Sequence, residues 1–98
     1  MTFPRKVNLY EVGPRDGLQN EKEIIPIDVK VDFINKLINC NFKEIEIGSF
    51  VSPKWVPQMA DSEIIIDKIN KPETTSFPVL TPNLKGVQKA IEKKADTV

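Results

Sequence analysis

The chain has no histidine, so the commonest metal ligand and the side chain best suited to moving protons near neutral pH are both missing. Its single cysteine, Cys40, excludes an internal disulfide and a cysteine-based zinc site. No apolar run approaches the roughly 20 residues that a bilayer-spanning helix needs. Neither sign of charge is in excess, since 14 basic residues face 14 acidic ones. Bulk electrostatics therefore favours neither nucleic acid nor an anionic membrane as a partner. Neither of the common glycine-rich phosphate-binding patterns occurs. Only Met1 to Arg5 precede the first strand pattern, too few for a secretory signal or an organellar presequence, so a cytoplasmic protein is the expectation. A length of 98 residues allows at most one small domain.

What is present is a rhythm. Lys6 to Val12 alternates as a strand with neither face purely polar, the pattern of a buried sheet. Gly13-Pro14 ends it, and a polar loop of about a dozen residues runs on to Ile25, long enough to suggest function. Pro26 to Asn41 is the clearest helix, with Val29, Phe33, Ile34, Leu37 and Ile38 on one stripe and Asp28 in the first turn. Cys40, near its end, reads as a small buried residue. Lys43 to Phe50 is a second strand, and Val51 to Gln58 a connection constrained by two prolines around Lys54-Trp55. A second helix is expected over Gln58 to Asn70, a third strand over Thr74 to Thr81, and a third helix over Leu84 to Lys94 through Leu84, Val87 and Ile91. Ala95 to Val98 reads as the onset of a fourth strand. Strand and helix alternate at a period of roughly 30 residues, that of βαβ units in a parallel sheet.

In such sheets the chemistry sits past the C-terminal ends of the strands. Arg15-Asp16 follows the first strand, Glu46 and Ser49 lie late on the second, and Thr81 and Asn83 follow the third. An Arg-Asp pair in a loop can be a solvated surface pair. Glu46, between two isoleucines, faces either solvent or a barrel interior, where a carboxylate needs a partner. The missing phosphate-loop motifs weaken an open nucleotide-binding sheet and leave the barrel ahead. The fold class is therefore α/β: a partial (β/α)8 TIM barrel, about the first three βα units plus the start of strand 4. Residues 1–98 would be the N-terminal part of a single catalytic domain that takes about 250 residues when complete.

Three stretches carry a family resemblance: Glu11 to Lys22 (EVGPRDGLQNEK), Ser49 to Asp61 (SFVSPKWVPQMAD) and Pro78 to Gly86 (PVLTPNLKG). The chain resembles the N-terminal portion of the hydroxymethylglutaryl-CoA lyases, within the larger family of lyase and Claisen-condensing barrels. The first stretch alone would also fit isopropylmalate-type synthases, and the second narrows the match to the lyases. The resemblance implies metal-assisted cleavage of 3-hydroxy-3-methylglutaryl-CoA to acetoacetate and acetyl-CoA. It implies a divalent cation, Mg2+ or Mn2+, with Asp16 as a metal ligand. It implies Arg15 as the catalytic cation at the substrate carbonyl and its enolate, with Glu46 as a second catalytic acidic residue that orients Arg15. Gln19 and Ser49 would line the substrate pocket, and Lys22 would contact the CoA portion. The family completes its metal site with two histidines and an asparagine from later strands, and uses a cysteine on a late glycine-rich loop as acid/base; none of these lies in the 98 residues. Where the lyases often carry threonines after the glutamate, this chain has Ile47 and Gly48, a change read as packing variation. The resemblance further implies an acyl-CoA partner, no nucleic acid, no membrane, and a homodimer for a full-length enzyme. The fragment by itself is expected to be inactive, as part of a working enzyme or as a truncated remnant.

Overall fold

The computed structural model describes residues 5–52, 54–95 and 97. Its elements are β1 (Tyr10–Glu11), α1 (Ile27–Asn39), β2 (Glu44–Ile45), β3 (Gly48–Ser49), α2 (Ser62–Lys68), β4 (Val79–Leu80) and α3 (Leu84–Glu92). β1 pairs in parallel with β2, and β3 in parallel with β4. The two sheets are stitched together. The Glu46 amide donates to the Glu11 carbonyl at 2.9 Å, while Ile45, Ile47 and Phe50 donate to Ser76, Pro78 and Leu80 at 3.0, 3.1 and 2.9 Å. β2 and β3 are thus two ends of one central strand, flanked by the strands before and after it in the chain. Sequential parallel neighbours with an intervening helix are the order of a barrel wall, whereas a doubly wound sheet reverses its order. Thr97 extends the series, since its carbonyl accepts from the Val79 amide at 3.0 Å. Asp96 and Val98, the rest of the expected strand onset after Ala95, lie outside the described residues.

The central strand carries a bulge. Glu44 stands opposite Ser76 and Gly48 opposite Val79, so four steps on this strand match three on its neighbour. Ile45 and Ile47 still match Ser76 and Pro78 step for step, so the extra residue falls between Glu46 and Gly48. Bulges bend a strand and re-aim side chains, and this one directly follows Glu46.

The core lies between the central strand and the helices. Ile34 of α1, Ile45, Ile47 and Phe50 of the central strand, Ile65 and Ile66 of α2, and Val79 of β4 form one buried cluster. Each such side chain contributes about 1.5–3 kcal/mol by leaving water. α1 begins after Pro26, whose extended backbone sets the entry. It ends where Asn41 turns into the left-handed region at φ 65°, a conformation asparagine tolerates. Asn83 caps α3, its Oδ1 accepting from the Gly86 amide at 2.9 Å. No helix of the described residues is long and apolar enough to cross a membrane.

Several expectations need correction. Cys40 is exposed, because it is the residue on which α1 closes and lies beyond the buried stripe. Val29, at the other end of α1, is exposed too. The second helix does not run from Gln58: a 3₁₀ turn covers Pro57–Met59, and α2 starts only at Ser62. There the Ser62 hydroxyl donates to the Met59 carbonyl at 2.8 Å and accepts from the Ser49 amide at 3.1 Å, which fixes the break. The first strand is shorter than its pattern, and Val7 and Leu9 are exposed. In α3 the expected apolar residues Leu84 and Ile91 face outward, while Gly86 and Ala90 are buried. A small-residue face lets α3 lie against the end of the central strand.

Gly86 is where that approach is tightest, since an added Cβ would stand 2.6 Å from the Phe50 carbonyl oxygen. Gly86→Ala ordinarily favours a helix interior by about 1 kcal/mol. Here overpacking, typically about 1–3 kcal/mol, opposes it against rigid backbone. The expected outcome is a net loss of stability, read as a lower urea midpoint; a raised midpoint would show that α3 can move away from the strand.

Candidate functional site

The site begins at one carbonyl. The Val12 C=O accepts from the amides of Arg15, Asp16 and Gly17 at 3.1, 2.7 and 3.2 Å, which curls Gly13–Gly17 into a π-helical turn. Pi turns are rare and gather at functional sites. Pro14 is buried beneath the turn. Gly13 donates its amide to Glu11 Oε1 at 2.8 Å, and any Cβ there would lie 2.9 Å from that oxygen and 3.2 Å from the Phe33 ring. The polar loop expected after β1 is therefore ordered at its start, and Arg15 and Asp16 are aimed by backbone geometry.

Glu11 pairs with Ile45, so β1 ends level with Ile45 and Glu46 stands one residue beyond. Arg15 reaches it there: its Nε donates to Glu46 Oε1. Both side chains are largely buried, 19% and 10% exposed, whereas the Asp16 carboxylate, 3.5 Å from the Arg15 guanidinium, is 58% exposed. The partner that a buried Glu46 requires is thus Arg15. A charge left alone in such a place costs about 3–5 kcal/mol, so the two residues hold each other in position. Tyr10 completes the cluster. Partial burial, a hydrogen bond to Glu46 and the negative charge of Glu46 and Glu44 push its pKa up to about 12, with Arg15 opposing. Its hydroxyl donates to the Glu46 carboxylate. Tyr10 escaped sequence reasoning because a lone aromatic on a strand reads as core; its position on the strand next to Glu46 is visible only in three dimensions.

The other candidates lie apart. Ser49 is buried, with its hydroxyl donating to the Leu80 carbonyl at 3.2 Å. It borders a separate cleft of about 200 Å³ shared with Phe50, Asn83 and Lys89. Gln19 is half-buried just after the π turn, and Lys22 is exposed on the loop that follows. Among the described residues no hydrogen bond joins Gln19, Lys22 or Ser49 to the Arg15–Glu46 pair. Among them also, no three His, Cys, Asp or Glu side chains gather as a metal site. Asp16 offers an open carboxylate, but one carboxylate does not fit a catalytic divalent ion, which needs several ligands.

Parallel strands in sequential order, with a buried cation–carboxylate pair at the end of the first, define an α/β protein of the class that binds its ligands past the strands' C-terminal ends. The comparisons narrow that class. The HMGL-like family model matches residues 6–98, and the chain belongs to this family. It is 53% identical over 96 residues to the mitochondrial hydroxymethylglutaryl-CoA lyase of Gallus gallus, covering 98% of this chain and 32% of the relative. It is 48% identical over 96 residues to the cytoplasmic 3-hydroxy-3-methylglutaryl-CoA lyase of Homo sapiens, covering 98% of this chain and 26% of that one. Among solved structures, the hydroxymethylglutaryl-CoA lyase of Pseudomonas aeruginosa superposes with a TM-score of 0.93 at 47% identity, over 97% of this chain and 32% of its own. An HMG-CoA lyase of Acinetobacter baumannii in complex with coenzyme A and 3-methylmalate gives 0.88 at 44% identity, over 91% of this chain and 29% of its own. The chain spans about a third or less of the proteins it matches.

The Tyr10–Glu46 bond is directly testable, because Tyr10 is the one tyrosine of the 98 residues. A raised pKa on this group means that its contribution to stability is full below the unfolded value of 10.0 and is lost as pH rises towards 12. Ultraviolet absorbance of the tyrosinate, with Tyr10→Phe as the blank, should give a midpoint near 12. Glu46→Gln should bring it down towards 10; an unchanged midpoint would remove Glu46 as a cause.

Proposed function

We propose that this chain is the N-terminal part of a hydroxymethylglutaryl-CoA lyase barrel, its first three βα units and the start of strand 4. The reaction is cleavage of 3-hydroxy-3-methylglutaryl-CoA to acetoacetate and acetyl-CoA. The observation that carries this reading is the Arg15–Glu46 pair buried at the end of β1, with the open Asp16 carboxylate beside it, in a member of this family.

The chemistry explains why these residue types belong there. A base takes the C3 hydroxyl proton, and the C3 oxygen becomes the ketone of acetoacetate as the C2–C3 bond breaks. The departing carbon leaves as the enolate of a thioester, with negative charge on its oxygen until a proton returns to C2. A fixed cation already in place lowers that barrier without reorganising at the moment of reaction. Arg15 supplies it, planar and always charged. Glu46 keeps the guanidinium from swinging to solvent, and Tyr10 in turn holds the glutamate. In this reading Gln19 and Ser49 contribute to the substrate pocket and Lys22 to binding of the CoA portion. A divalent cation, Mg2+ or Mn2+, would polarise the substrate oxygens, and Asp16 would be one of its ligands with the others supplied from outside these 98 residues. We place the protein in the cytoplasm, the compartment of the Homo sapiens relative named above, the avian one being mitochondrial.

The test is acetoacetate release from 3-hydroxy-3-methylglutaryl-CoA with Mg2+ or Mn2+, using the protein expressed in full from its gene. Arg15→Gln should lower kcat by about 10²–10³, the usual size of a lost oxyanion donor, and leave KM within a few-fold. A near-normal kcat removes Arg15 from this role. Residues 1–98 alone should release no acetoacetate above a blank, because they bring one carboxylate to a metal that needs more. Turnover by the fragment would overturn that account of the metal site.

A further inference from the structure

The segment after the π turn, residues 21–25, has no regular structure of its own, yet it is tied down along its length by one side chain. Gln58, from the 3₁₀ turn over Pro57–Met59, is buried with 4% of its surface exposed. Its Oε1 accepts from the Ile25 amide at 2.8 Å. Its Nε2 donates to the Glu23 carbonyl at 2.7 Å and to the Glu21 carbonyl at 3.4 Å. The amide thus reads one backbone donor and two backbone acceptors, as a neighbouring strand would.

Gln58 is held in its turn. Lys30 of α1, 2% exposed, donates its Nζ to the Gln58 backbone carbonyl and to both Asp61 carboxylate oxygens, at 2.8 and 3.1 Å. No buried side-chain nitrogen or oxygen of the described residues lacks a partner. An apolar residue at position 58 could fill the same space. It could not set the register of the loop, because packing does not distinguish one backbone group from the next and hydrogen bonds do.

We propose that Gln58, braced by Lys30 and Asp61, is a positioning residue: it clasps residues 21–25 so that Lys22, between two clasped carbonyls, is presented to the phosphorylated part of coenzyme A. This rests on the lyase reading for the ligand, and on the hydrogen bonds alone for the clasp. Lys22 is exposed on its segment, and the clasped residues on either side limit how far it can stray. Gln58 touches no reacting atom, so it acts on binding and leaves the chemical step alone.

The test is Gln58→Met in the protein expressed in full, with coenzyme A itself and pantetheine as probes. The Kd for coenzyme A should weaken about tenfold, the worth of a lost buried hydrogen bond or two, while binding of pantetheine, which lacks the nucleotide end, and kcat stay within about twofold. In hydrogen exchange the Ile25 amide should lose protection while the Ile34 amide of α1 keeps it. Gln58→Asn keeps the amide but shortens its reach by one methylene, and should reproduce the binding loss if the methionine variant does not fold. An unchanged Kd with only a lowered melting temperature would overturn the proposal, leaving Gln58 as packing between loop and helix. Equal loss for both probes would also overturn it. Coenzyme A binding without lyase turnover would instead sink the lyase reading and leave the clasp standing.

Discussion

A carboxylate cannot be left unpaired inside a packed α/β domain, and Glu46 is such a carboxylate. Much of the site follows from meeting that requirement. Glu46 stands one residue past the level at which β1 ends, and the strand bulges directly after it. The π turn delivers Arg15 to the same point, and it forms because one carbonyl, that of Val12, accepts three amides. Each distortion would be a defect by itself: a strand with an unmatched residue, and a helical turn with poor hydrogen-bond economy. Together they place a guanidinium and a carboxylate in contact with little exposure to water.

The same logic orders the second layer. Lys30 is a buried charge on α1, and Asp61 answers it across the gap to α2. Between them stands Gln58, whose side chain takes over backbone groups of residues 21–25, a segment that forms no helix or strand. Two buried ion pairs therefore bound the βα loop, one at its start and one near its end. Buried pairs add little net stability compared with apolar packing. What they add is geometry: between them they fix the path of the loop that joins β1 to α1.

The fold was legible where a pattern had one physical cause. α1, the central strand and the order of elements follow from periodicity, and the alternation of Ile45, Glu46 and Ile47 placed the glutamate opposite the apolar pair. Arg15, Asp16 and Glu46 were legible as candidates because the strand–helix rhythm put them at the strands' C-terminal ends, where a surface pair was the other reading. Legibility failed where a local preference was overruled. Periodicity carried the second helix back to Gln58, but the Lys30 and Ser62 hydrogen bonds break it there. The apolar residues of α3 pointed to a Leu84–Ile91 face, but a helix pressed against the Phe50 carbonyl must turn its smallest residues inward. Tyr10 and Gln58 were passed over for the same reason: their roles lie in partners more than thirty residues away, and no window along the chain contains both.

Gly48 shows how such long-range constraints bind the site to the core. A Cβ at this position would lie 2.3 Å from the Ser62 hydroxyl oxygen, so the central strand and α2 approach more closely here than any side chain on the strand would permit. That approach lets Ser62 accept the Ser49 amide just beyond the bulge. The strand is therefore pinned on the helix side within three residues of Glu46, and the bulge cannot relax by sliding. With no side chain at Gly48, the space holds a hydrogen bond between strand and helix. Gly48 is thus tied to Glu46 through the backbone it fixes, and the π turn carrying Arg15 meets a carboxylate whose place is already set.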